Sequence, residues 1–138
     1  MVAKSRPSPP ATRADLDALP PNVVGEIVSG VLHASPRPGS PHAVAASAIG
    51  EELGPPFKRG RGGPGGWVIL DEPELHFADD VLVPDLAGWR RERMPEVPIV
   101  SAFELAPDWV CEVLSKSTAV LDRSEKLPVY ARERVAHV

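Results

Sequence analysis

The stretch Trp109-Val110-Cys111-Glu112-Val113-Leu114-Ser115-Lys116-Ser117-Thr118 decides how this chain reads. Its apolar and β-branched first half predicts a strand over Trp109 to Leu114, apolar enough to lie centrally in a sheet. Alternate residues of a strand share a face, so Glu112 and Leu114 point one way while Cys111 and Val113 point the other. A carboxylate thus interrupts an otherwise buried strand. Burying an unpaired charge is costly, so Glu112 must be paired with a cation, bound to a metal or protonated.

Working outward, Val83-Pro84-Asp85 places a second acid at a strand edge, and Asp122 to Arg132 predicts a helix carrying Lys126. Asp122 is its expected cap, with Glu125 three residues on, and Pro128 must lie in the early turns or kink the helix. Two acids converging on one spot repel unless a divalent cation sits between them. Taken singly, Asp85 reads equally as a turn residue after proline and Glu112 as a salt-bridged strand end. Taken in order with the lysine, the trio suits metal-assisted cleavage of a phosphodiester.

The rest of the chain supplies an α/β frame. Ala14 to Leu19 predicts a helix of one or two turns stopped by Pro20-Pro21, and Val23 to Leu32 a hairpin turning at Ser29-Gly30. Pro41 to Gly54 predicts the longest helix, with an apolar side through Val44, Ala45, Ala48, Ile49 and Leu53. Trp67 to Leu70, Leu75 to Phe77, Val81 to Val83 and Leu86 to Trp89 read as successive strands. The glycines from Gly60 to Gly66 lack the Lys-Ser/Thr and helix of a phosphate-binding loop and read as a flexible connection.

Composition bounds the function. The 138 residues fit one domain, expected over 13–138 behind a disordered tail over 1–12 that has no apolar run of a secretory signal. No stretch is long and apolar enough to span a membrane, and a single cysteine, Cys111, points to a reducing compartment, the cytoplasm by default. A formal charge of −4 is unlike that of a non-specific nucleic-acid binder, although Lys58, Arg59 and Arg61 form one basic cluster and Arg90, Arg91 and Arg93 another. Each cluster reads as a solvated loop or as a contact for a phosphate backbone. His33, His76 and His137 have no zinc-site spacing. Cys111 and the three tryptophans, Trp67, Trp89 and Trp109, read as core.

The motifs also resemble a known family. Gly25-Glu26-Ile27-Val28-Ser29-Gly30-Val31-Leu32 is similar to its opening hairpin, Pro41-His42 to the start of its first long helix, and Val83-Pro84-Asp85-Leu86 to its Pro-Asp strand. Glu112 to Thr118 and Lys126-Leu127-Pro128-Val129-Tyr130-Ala131 match its two most specific segments, in the expected order. This is the Uma-type restriction endonuclease family, a bacterial branch of the PD-(D/E)XK nuclease superfamily. The resemblance implies a restriction-endonuclease-like mixed β-sheet flanked by helices. It further implies DNA as substrate and Asp85 and Glu112 as ligands of Mg2+, or of Mn2+, against the scissile phosphate.

The superfamily's lysine usually follows the glutamate by two residues, and here that slot is Leu114. Lys126 matches the family motif and is the expected catalytic lysine. Lys116 has the right parity but lies roughly 13 Å along an extended strand from Glu112. Glu26 is expected either to add a metal ligand through water or to sit on the surface. His42 suits a general base near neutral pH or a hydrogen bond at the helix terminus.

The family ordinarily continues past Tyr130-Ala131 through a Gly-Val turn into further strands, whereas here Arg134 stands where glycine is usual. A sheet lacking those strands would expose an edge and invite a homodimer. The competing expectation is a catalytically inactive, nuclease-like DNA-binding or assembly module.

Overall fold

A computed structural model describes residues 9–116 and 118–138. The expected tail lies outside the described residues over 1–8, as does Ser117; residues 9–12 run beside the first hairpin, where Ala11 N–H donates to Gly30 O at 2.8 Å. The α/β class expected from the sequence is present, but its strands divide into two antiparallel sheets. One has four strands in the order β2-β1-β5-β4 and the other three in the order β3-β6-β7. Parallel pairing among the described residues is confined to single bridges, Leu75 with Phe103 and Trp109 with His137.

The first sheet begins with α1 (Arg13–Asp17) packed on β1 (Val23–Val28), which turns into β2 (Val31–Pro36). Val28 pairs with Val31, leaving Ser29 and Gly30 as a two-residue turn with φ of 51° and 79°. Positive φ at both positions suits the twist of the flanking strands and is easiest for glycine at the second. Ser29 tolerates the first because its N–H donates to Asp80 Oδ1 at 2.7 Å. On the outer face of β1, a Cβ at Gly25 would lie 2.6 Å from Leu16 and 2.4 Å from Leu19, so only glycine lets α1 approach.

After α2 (Ser40–Leu53) and a π-helical turn (Gly54–Lys58), the chain forms β3 (Trp67–Asp71), β4 (Leu75–Phe77), β5 (Asp80–Leu82) and β6 (Leu86–Arg90). The apolar side expected of α2 is not buried. Val44 is 68% exposed and no residue of the helix is fully buried. The helix meets the sheet through small residues: the Cβ position at Gly50 lies 3.5 Å from Leu86.

The strand expected to be central is an edge. β7 covers only Trp109–Cys111 and pairs on one side with β6, whose residues Leu86 to Trp89 are all buried. It stops early because Val113 N–H is drawn to the Asp85 carboxylate, at 2.6 Å, instead of a strand ladder. Beyond the strand, Val110 N–H donates to His137 O at 2.9 Å, so the last residues lie along this edge.

The core joins both sheets to the final helix through Val28, Leu75, Phe77, Leu82, Trp89, Val110 and Tyr130. Trp89 is its largest member, with its ring 5.3 Å from Phe103 and its indole N–H donating to Leu105 O. Trp67 and Trp109 are only half-buried, and the Arg90 guanidinium lies 4.8 Å over the Trp67 ring.

Candidate active site

The two sheets are joined by Val83-Pro84-Asp85, between β5 and β6, and the site is built around that seam. Glu26 comes from the first sheet, Asp85 from the crossover and Glu112 from just beyond β7. The remaining member, Lys126, comes from the helical segment that follows, a π-helical turn (Leu121–Lys126) leading into α3 (Leu127–Arg132).

This helical segment begins earlier than the sequence suggests. Ser115 Oγ accepts from Thr118 N–H and Thr118 Oγ1 accepts from Ser115 N–H, each at 3.3 Å, a reciprocal cap. Asp122, the expected cap, lies inside instead, its N–H donating to Thr118 O at 2.9 Å. The wide turn ahead of Pro128 accommodates a residue that has no N–H to give and would clash with an ordinary α-helical turn. Its effect is to keep Asp122, Lys126 and Tyr130, spaced by four, on the buried side.

Lys126 is 1% exposed, and its ammonium lies among three carboxylates. Nζ lies 2.5 Å from Glu112 Oε1, 2.6 Å from Glu26 Oε1 and 3.7 Å from Asp122 Oδ1. Tyr130 OH donates to the same Glu112 oxygen at 2.6 Å. Glu26 Oε1 also accepts from Val83 N–H at 2.8 Å, which ties it to the crossover. At the rim, Asp85 Oδ1 lies 3.0 Å from His42 Nε2, near the start of α2, and Oδ2 accepts from Val113 N–H. Glu26, His42, Asp85, Glu112, Asp122 and Lys126 all line one cleft of about 190 Å³.

Burial and charge oppose each other here. Burial pushes the Glu112 carboxyl up to about 7, overriding Lys126, which draws it down. Burial would strip the proton from Lys126, but Glu112 and Glu26 hold it and leave its pKa raised. Burial also raises Asp122, partly offset by Lys126, and raises the Tyr130 phenol, which therefore stays protonated and donates. The Cys111 thiol is pushed up by burial and then by Asp85 and Glu112, which disfavours a nucleophilic thiolate.

The structure therefore brings Asp85, Glu112, Lys126, Glu26 and His42 to one cleft. It does not bring Lys116 there: that side chain is exposed and away from the lining. The Glu26 carboxylate is buried rather than on the surface. Two further members, Asp122 and Tyr130, are not among the expected site residues; the sequence marks the first as a cap and the second as part of a family motif. Their signal was present in the four-residue spacing on either side of Lys126, which places all three side chains on one helix face.

Whether this donor set suits magnesium is a matter of ligand type and number. Mg2+ takes hard oxygens, retains several waters and is commonly held by one or two carboxylates together with substrate phosphates. Asp85 and Glu112 fit, since they share a cleft and Asp85 is bonded to the backbone of the residue after Glu112. The three carboxylates around one ammonium also leave negative charge to be offset. Among the described residues no group of three or more His, Cys, Asp or Glu side chains is disposed to cage a metal.

Comparison with known proteins bears on the family and the fold. A family model described as "Uma2: Putative restriction endonuclease" matches residues 13–138. Among solved structures, a protein from Anabaena variabilis described as a putative nuclease belonging to DUF820 superposes with a TM-score of 0.64 at 25% identity. The match covers 88% of this chain and 65% of that one, so the chain spans about two-thirds of its length. No curated protein matches. Among the described residues no helix is long and apolar enough to cross a membrane.

Proposed function

The chain belongs to the Uma2 restriction endonuclease family, and from that premise we propose that it is a magnesium-dependent endonuclease hydrolysing phosphodiester bonds of DNA. The observation that carries this reading is the contact of Lys126 with Glu112 in the cleft that also holds Asp85. Asp85 and Glu112 would hold the Mg2+ or Mn2+, which when bound supplies Lewis acidity and a water of lowered pKa.

The chain's own residues do the rest. Lys126 presents a fixed positive charge to the attacking water and to the charge that develops on the phosphate. Because it is already desolvated and held, little reorganisation is needed during the reaction. Tyr130 fixes one oxygen of Glu112, and His42 with Val113 N–H fixes Asp85, so neither carboxylate is free to turn away. Glu112 must be ionised to serve as a ligand, which its raised pKa delays to near-neutral pH.

Purified protein should nick supercoiled plasmid with Mg2+ and stop with a chelator, and Asp85→Ala should abolish nicking. Equal activity in that variant would sink the assignment. A second reading, a catalytically inactive DNA-binding or assembly module, is favoured by one observation: the buried charges are mutually satisfied, as they would be in a purely structural network. It predicts DNA binding indifferent to Asp85→Ala, and any Mg2+-dependent cleavage removes it.

A further inference from the structure

We infer that Glu26 is a positioning residue that fixes Lys126 and is not a ligand of the metal, an inference that rests on the nuclease reading above. Glu26 is 8% exposed and lies on β1, the strand between β2 and β5, where it pairs with His33 of β2 and its neighbour Ile27 pairs with Val81 of β5. Its Oε1 accepts from two donors at once, Lys126 Nζ at 2.6 Å and Val83 N–H at 2.8 Å. The second bond anchors it two residues before Asp85 in the chain. Glu26 therefore sets the lysine against the same crossover that presents the rim carboxylate.

The need for such an anchor follows from competition for Glu112. Lys126 and Tyr130 both meet Glu112 Oε1, so a cation drawn to that carboxylate weakens its hold on the ammonium. Asp122, at 3.7 Å, is too distant for a hydrogen bond and keeps the lysine only by charge. Glu26 supplies the remaining short, charge-assisted contact. A lysine without it would be free to leave the position from which it meets the water.

Glu26→Gln preserves shape and keeps an oxygen for Val83 N–H, while removing the charge that faces Lys126. In plasmid cleavage at saturating Mg2+ its turnover should fall about tenfold or more, whereas the Mg2+ concentration for half-maximal rate should move less than twofold. Calorimetric titration of Mg2+ into the protein without DNA should give wild-type affinity for Glu26→Gln and at least tenfold weaker binding for Asp85→Asn. Weakened Mg2+ binding in Glu26→Gln, matching Asp85→Asn, overturns the inference and makes Glu26 a ligand; wild-type turnover also overturns it. If Glu26→Gln does not fold, Glu26→Asp, which keeps the charge but draws it back, must show the same split between turnover and Mg2+ requirement. A wild type that binds no Mg2+ and cuts no DNA defeats the nuclease reading itself, a result distinct from either failure of the variant.

Discussion

At the inner end of the cleft three carboxylates close on an ammonium that is 1% exposed, whereas at the rim Asp85 meets one imidazole and one backbone N–H. At the inner end the ammonium has been removed from water, and it and its carboxylates depend on each other. The rim carboxylate keeps contact with the open cleft and is held by lighter, replaceable partners. The difference separates two tasks that sequence motifs list together. Burial fixes the cation in place before any ligand arrives, while the rim leaves room for a ligand to exchange. A change at the inner end should therefore cost both folding and chemistry, and one at the rim chemistry alone.

The strongest test of that contrast is Lys126→Met. It leaves carboxylates buried without their cation, so urea unfolding should show a loss of about 3–5 kcal/mol along with loss of cleavage. Asp85→Asn should lose cleavage as completely while its unfolding midpoint stays close to wild type, because the amide can still bond to its neighbours. Equal destabilisation by the two would erase the distinction between inner end and rim.

Acidity sharpens the comparison further. The Glu112 carboxyl is raised from 4.5 to about 7 in the folded protein. The folded state therefore holds this proton more tightly than the unfolded chain. The stability it contributes is fully present below about 4.5 and is lost as pH rises through about 7. Metal binding runs the other way, since the ligand must be ionised. Mg2+ affinity and cleavage should both climb as pH passes about 7, and Mg2+ should stabilise the fold more at pH 8 than at pH 6. Glu112→Gln should flatten the dependence of unfolding free energy on pH; an unchanged slope would refute the role of this carboxyl.

Tyr130→Phe removes one hydrogen bond to a carboxylate that Lys126 still holds. We expect a loss of about 1.5–3 kcal/mol in urea unfolding, with cleavage reduced but not abolished. The smallest effect lies outside both regions. Arg134 follows α3 with φ of 60°, a left-handed position, while Val135 N–H donates to Tyr130 O to close the helix end. Arg134→Gly should gain about 1 kcal/mol by relieving that conformation and leave Mg2+ binding unchanged. A loss of stability would show that the arginine side chain contributes more than its backbone costs.

Much of this is legible in the sequence. The hairpin at Ser29-Gly30 followed from local turn chemistry, and the order Asp85, Glu112, Lys126 followed from a carboxylate interrupting an apolar strand and from the family motifs. The edge position of β7 was not legible. An apolar run reads as central, but here Val113 gives its N–H to Asp85 and β6 takes the centre. Nor was the exposed apolar side of α2, because helical spacing records which residues share a face and not which face meets the sheet. Asp122 has the local pattern of a cap, but Ser115 and Thr118, four to seven residues earlier, form the cap.

The sequence by itself determined the local elements, the turn that needs positive φ, and the set of acids and the lysine available for chemistry, because these depend on residue type and short-range spacing. Only the tertiary structure decided that the strands part into two sheets, that Glu26 shares the lysine with Glu112, and that Lys116 is left in solvent. Those outcomes turn on which distant segments meet at the Val83-Pro84-Asp85 seam, and on burial strong enough to draw Lys126 and its carboxylates into one pair-satisfied cluster.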